Sequence, residues 1–162
     1  MTSTARILFA EDEPLRLTME ILGPAATQGS KTPIRNKFGQ IVGSRESSKR
    51  SRPWRQDVRA MMEAARPEGF LPWDEAVTMS LTIYMRRPKA HFDSKGRLKQ
   101  SAPPFPPNGL DIDKVQRCIG DAAKGIWITD DRRISKWHDP QRFYCAPGEV
   151  ERTVITCELR QE

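Results

Sequence analysis

The chain has 162 residues, a length for one domain with a real core, and 37% hydrophobic content against 30% charged predicts sizeable solvated loops. Its formal net charge of +6 suits a polyanionic partner, because Lys and Arg displace condensed counterions from phosphates. Three cysteines, Cys118, Cys145 and Cys157, show no CxxC or Cys/His ligand spacing, which argues against a disulfide framework or a zinc site. With no signal-peptide run and no stretch of about 20 apolar residues, a reducing cytoplasm is the expected location, with no membrane span.

Residues 1–14 carry little periodicity and read as a tail, so the expected domain runs over 15–162. The run from Leu15 to Leu22 alternates, with Leu15, Leu17, Met19 and Ile21 on one face, as a half-buried strand does; Gly23 and Pro24 stop it. A long basic stretch follows over 28–49, in which RNKFGQIVGS can form a short hairpin around Gly39. Ser51 and Pro53 then give a helix start, with Ser51 as cap and Trp54, Val58, Met61, Met62 and Ala65 at helical spacing; the helix is predicted to end before Pro67. Val77, Met79, Leu81, Ile83 and Met85 alternate as the clearest strand. Residues 86–110 are basic and too rich in proline for a regular element.

A second amphipathic helix is predicted over 114–124, with Val115, Cys118, Ile119, Ala122 and Ala123 as its apolar stripe. Two strands follow, near 134–144 and 150–159, with Pro147 and Gly148 in the turn between them. The order of elements favours a single α+β domain: a mixed sheet of about four strands with two main helices packed on it.

Chemistry concentrates in GLDIDKVQRCIGDAAKGIWITDD. Asp111 and Asp113 are two apart, and on an extended approach to the helix both would point one way. Asp130 and Asp131 return after one helix and a short turn. Convergent carboxylates suit a hard, oxygen-seeking ion such as Mg²⁺, which can position water and polarise a phosphodiester. The same residues have plainer uses: Asp113 would equally cap the helix, and Asp130 and Asp131 would equally make a turn. Arg117, one turn after Asp113, can pair with that acid or bind a phosphate oxygen.

The strings DIDKVQRCIGDA and GIWITDDRRI resemble the RusA-like Holliday junction resolvases, especially phage and prophage members. Asp111, Asp113, Lys114, Arg117, Asp121, Asp130 and Asp131 occupy the places of that pattern. The resemblance implies an α+β homodimer that binds four-way DNA junctions and nicks two opposing strands. It implies Mg²⁺, with Mn²⁺ as substitute, held by Asp111, Asp113 and Asp131, with Asp130 as the less certain neighbour. It gives Arg117 a catalytic part beside the three acids; a guanidinium does not readily give up a proton, so charge stabilisation suits it better than proton transfer. Gly120 and Ala123 depart from the bulkier residues of the family, and the glycine is expected to weaken helix packing.

Basic residues are segregated. Residues 28–66 hold ten Lys and Arg against three acids, and residues 86–99 hold six against one. Lys31, Arg35 and Lys37 in the first segment, Arg86, Arg87 and Lys89 in the second, and Lys114 on the helix are candidate phosphate contacts. Phe38 and Phe105 can wedge at a branch point or pack on the domain, and packing is favoured. The expected activity is Mg²⁺-dependent resolution of four-way junctions in DNA recombination or repair, without a small-molecule cofactor. The rivals are a protein that binds branched or single-stranded DNA without cutting it, and a nuclease for another branched DNA.

Overall fold

Alternating apolar residues build the sheet, as expected. The computed structural model describes residues 16–29, 31–46 and 49–160; the tail assigned to 1–14 lies outside the described residues. Strand β1 (Arg16–Leu22) buries Leu17, Met19 and Ile21. Strands β2 (Lys31–Arg35) and β3 (Ile41–Glu46) pair with each other as a separate antiparallel hairpin. Helix α1 (Ser51–Ala64) precedes β4 (Val77–Met85), and helix α2 (Ile112–Ala123) precedes β5 (Ile134–Tyr144) and β6 (Arg152–Leu159).

The main sheet runs β1-β6-β4-β5, with β6 antiparallel to both β1 and β4 and β5 parallel to β4. Parallel neighbours need a long crossover, and α2 lies within it. Pro140 cannot donate to a ladder; it is tolerated because β5 is an edge strand and the register shifts beside it, between Ser80 and Thr82.

The helices cover the sheet face that carries Met19, Met79, Leu81, Ile83, Ile155 and Cys157. Helix α1 contributes Trp54, Val58 and Met62, and α2 contributes Val115, Cys118, Ile119 and Ala122. The mixed four-stranded sheet with two helices is thus the architecture expected. Two boundaries differ. Ser51 is the first residue of α1, buried, and Arg50 already has helical dihedrals and stands at the N-cap without a side-chain cap bond. Helix α2 starts two residues earlier than its apolar stripe suggests, with Asp111 at its N-cap, so Asp113 lies inside the first turn and does not cap it.

Trp127 joins the layers. Its side chain is fully buried, and its indole N–H donates to the Met62 carbonyl at 2.9 Å. Its own carbonyl accepts from Trp73 N–H at 3.0 Å, and Thr129 N–H donates to the Trp73 carbonyl at 2.9 Å. One residue therefore ties the stretch after α2 to α1 and to the entry of β4. Trp127→Ala is expected to cost about 3–5 kcal/mol, the usual range for emptying a large aromatic site, read by urea unfolding.

In the turn between β5 and β6, Glu149 accepts from Ala146 N–H and Arg152 Nη1, both at 3.1 Å. The Arg152 guanidinium, then the Ala146 amide, hold its carboxyl below the usual range. A carboxyl lowered by folding stabilises above its unfolded value and loses that contribution as pH falls. Glu149→Gln is therefore expected to lower the melting temperature at neutral pH, with the deficit shrinking below about pH 4.3, as followed by thermal melts across pH.

Candidate active site

Two strand ends fix the approach to α2. Gly109 has φ +150°, and a Cβ there would stand 2.9 Å from Met85 Cε at the end of β4, so no other residue fits without displacement. Arg142 of β5 donates from Nη1 to the Leu110 carbonyl at 2.9 Å. Asp111 follows, exposed, and its carbonyl accepts from Val115 N–H at 3.1 Å as the helix begins. Its carboxylate makes no cap bond and stands 3.8 Å from Lys114 Nζ.

Asp111 stands at the N-cap with extended dihedrals and Asp113 lies in the first turn of the helix. The approach is extended up to Asp111, as expected, and turns helical before Asp113. Asp113 opens a row with Arg117 and Asp121 at intervals of four. Asp113 accepts from Arg117 Nη2 at 2.7 Å, and 72% of its side chain is exposed. An acid in the first turn also suits the positive end of the helix. Asp121, one turn beyond Arg117, accepts from Gln28 Nε2 at 2.8 Å and lies 3.7 Å from Arg55.

Gly120 brings the second acid in. A Cβ on it would stand 3.3 Å from Ile134 Cδ1 and 3.7 Å from Asp131 Cβ. The absent side chain leaves room for Ile134 and Asp131 close to α2. The result is a cleft of about 280 Å³ lined by Gln28, Asp113, Arg117, Asp121, Asp131 and Trp137, among others. A larger, mostly apolar cavity of about 670 Å³ lies between the end of β1 and α1, but Asp57 is its sole acid, so the chemistry belongs to the smaller cleft.

Asp130 and Asp131 part company. Asp130 caps the short 3-10 turn Asp131–Arg133, accepting from Arg132 N–H at 3.1 Å. Lys124 and Arg132 stand 2.7 and 2.8 Å from its carboxylate and hold the carboxyl well below the ordinary range. Asp131, next to it, is exposed and faces the cleft. The structure thus groups Asp113, Asp131 and Arg117, leaves Asp111 at the helix end outside the lining, and engages Asp130 with cations. Among the described residues, no three acidic, histidine or cysteine side chains converge on one point as they stand. Asp111, Asp113 and Asp131 are nevertheless exposed oxyanions, a donor set of the kind a hard cation takes.

The candidate phosphate contacts divide as well. The Lys31 side chain lies outside the described residues, although its backbone opens β2. Arg35 and Lys37 are exposed on the hairpin, with Arg35 Nη1 donating to the Gly39 carbonyl at 2.7 Å. Arg86 and Lys89 are exposed beyond β4, and Lys114 is half-buried on α2. Arg87 serves the fold: it donates to the Pro103 carbonyl at 2.9 Å and covers the Tyr144 ring at 4.2 Å. Arg59, counted with the basic stretch, donates to the carbonyls of Ala122 and Lys124 at the end of α2. Phe105, though exposed, packs against the Phe143 ring at 6.0 Å, as expected, whereas Phe38 is exposed on the hairpin.

Sequence reasoning did not single out Gln28 as part of the site. It lies 93 residues from Asp121, and nothing local marks it; its N–H also donates to the Lys114 carbonyl at 3.3 Å. Asp121 carried a signal in its spacing of four from Arg117.

Acidic side chains grouped in a cleft of a basic α+β domain suit phosphodiester chemistry. The family described as Endodeoxyribonuclease RusA matches residues 26–154, a span that includes every acid above, and the chain belongs to that family. No curated protein matches the chain. At family level the activity is that of a structure-selective endonuclease of Holliday junctions, with divalent-metal dependence. Among the described residues, no helix is long and apolar enough to cross a membrane.

The close approach at Gly120 gives a direct check. Gly120→Val places branched carbons against the side chains of Ile134 and Asp131. It is expected to cost about 1–3 kcal/mol, as overpacking does, and to reduce nuclease activity at temperatures where the variant remains folded, measured by circular dichroism beside a cleavage assay.

Proposed function

We propose that this chain is a Mg²⁺-dependent endodeoxyribonuclease that resolves four-way DNA junctions by paired symmetric nicks, acting as a homodimer. The observation that carries the proposal is the cleft in which Asp113, Asp131 and Arg117 meet. Asp111, Asp113 and Asp131 would hold the ion, with Mn²⁺ as substitute; when bound, it polarises the scissile phosphate and lowers the pKa of a water. Asp130, paired with Lys124 and Arg132, positions the turn that presents Asp131.

Arg117 is the electrostatic partner. Its ion pair with Asp113 is exposed, so it is worth little to stability and is readily exchanged. Once free of that pair, the guanidinium would be able to bind a phosphate oxygen through two N–H groups. Such a group stabilises charge and does not shuttle protons at neutral pH. Exposed basic residues on the hairpin and beyond β4 supply sequence-independent contacts to the backbone. A twofold dimer matches the two opposing strands of a junction.

Cleavage of an end-labelled synthetic four-way junction in Mg²⁺, beside a linear duplex of the same sequence, tests the proposal. Symmetric paired nicks in the junction alone are expected. Asp113→Asn and Asp131→Asn are each expected to reduce the rate by about a hundredfold or more, the scale of losing several kcal/mol of charge stabilisation. Tight junction binding with no cutting in Mg²⁺ or Mn²⁺ would overturn the enzyme reading and leave a binding protein.

A further inference from the structure

The hairpin of β2 and β3 has a composition that neither the core nor the cleft accounts for. Ile34, Phe38, Ile41 and Val42 are exposed by 44, 76, 62 and 62%. Single exposed apolar residues are ordinary, but four within nine residues form a patch that needs a partner. Cations are interleaved with them: Arg35, Lys37 and Arg45 are exposed, and Lys31 adds a fourth to the sequence of a segment with one acid, Glu46.

The tip is rigid as well as exposed. Asn36 Oδ1 accepts from Phe38 N–H at 2.9 Å and Gln40 N–H at 3.0 Å, and its amide donates to Gln40 Oε1 at 2.9 Å. Asn36 N–H donates to the Gln40 carbonyl and Gly39 N–H to the Asn36 carbonyl, both at 2.9 Å. Arg35 closes the loop on the Gly39 carbonyl. This network presents Lys37 and Phe38 at the apex, with the ammonium 5.1 Å from the ring centre.

We infer that the hairpin tip is a stacking probe: Phe38 inserts against unpaired or unstacked bases at the branch point of DNA, while Arg35, Lys37 and Arg45 hold the flanking phosphates. The inference rests on the branched-DNA reading above and adds to it the element that recognises the branch. Interleaved cations and apolar faces fit a partner that is a polyanion with aromatic faces. In a linear duplex those faces are stacked and hidden, and at a branch they can be reached. Base–aromatic stacking is tolerant of sequence, as recognition of shape requires. A rigid tip loses little conformational entropy on insertion.

The test uses the full chain in EDTA with a four-way junction carrying 2-aminopurine at the branch, and a linear duplex as control. Wild type is expected to raise the 2-aminopurine emission. Phe38→Ala should abolish that rise and weaken junction binding by about tenfold or more, with duplex binding unchanged. Phe38→Trp, which keeps a stacking face, should retain both signals. Because Phe38 is exposed, neither variant should change the circular dichroism.

Unchanged junction binding by Phe38→Ala, or equal loss on junction and duplex, overturns the inference. So does a change in its oligomeric mass by light scattering, which would make the patch a contact between copies. If Phe38→Ala alone behaves as wild type while wild type prefers the junction, the stacking idea fails and the junction reading stands. If wild type itself shows no preference for the junction, both fall.

Discussion

The burial of Trp127 is the constraint on which the site depends. The chain leaves α2 at Ala123 and must come back along β4 as β5, starting at Ile134. It does so because the indole fills a fully buried space and donates to the Met62 carbonyl, while its backbone is bridged to Trp73. With that connection pinned, the segment after it has one course, past Gly120. A carboxylate from the turn then lines the same cleft as a carboxylate from the first turn of α2. An indole that wandered would leave a buried carbonyl without a donor and the second acid without a fixed place, since buried polar groups need partners.

Charge is divided between holding the protein together and facing outward. The basic balance of the sequence overstates what is free for a polyanion, because several guanidiniums serve carbonyls. Arg59 closes the end of α2, Arg87 holds the proline-rich loop, and Arg142 fixes Leu110 before the first acid. A guanidinium suits this task because it offers several N–H groups in a fixed plane. Lys37, on the hairpin, combines exposure with a hydrogen-bonded turn, so position there matters more than total charge.

The acids follow the opposite arrangement. Asp111, Asp113 and Asp131 are exposed and carry single weak pairings or none of note, whereas Asp130 is held by two cations. Exposed pairs contribute little to stability and exchange easily. In the proposed function, such acids would be free to take a cation because the fold does not need them. Rigidity is supplied one residue away, in the capped turn under Asp131 and the Gln28 bond to Asp121.

The layers and the family were legible in the sequence. Period-two runs pointed to β1 and β4, the apolar stripe to α2, and the paired acids with Arg117 to both the family and the candidate site, since these signals are local. The start of α2 was not legible, because the apolar stripe does not mark where helical dihedrals begin, and it puts Asp111 at the cap and Asp113 in the first turn. The value of Gly120 was hidden too, since its neighbours Asp131 and Ile134 lie across the fold and a missing Cβ has meaning only against what approaches it. Nor did spacing reveal Gln28, 93 residues from its partner, or distinguish an arginine turned to a carbonyl from one turned to solvent. Tertiary structure alone decided those, because close approach and hydrogen-bond partnership are set by packing between segments that the sequence keeps apart.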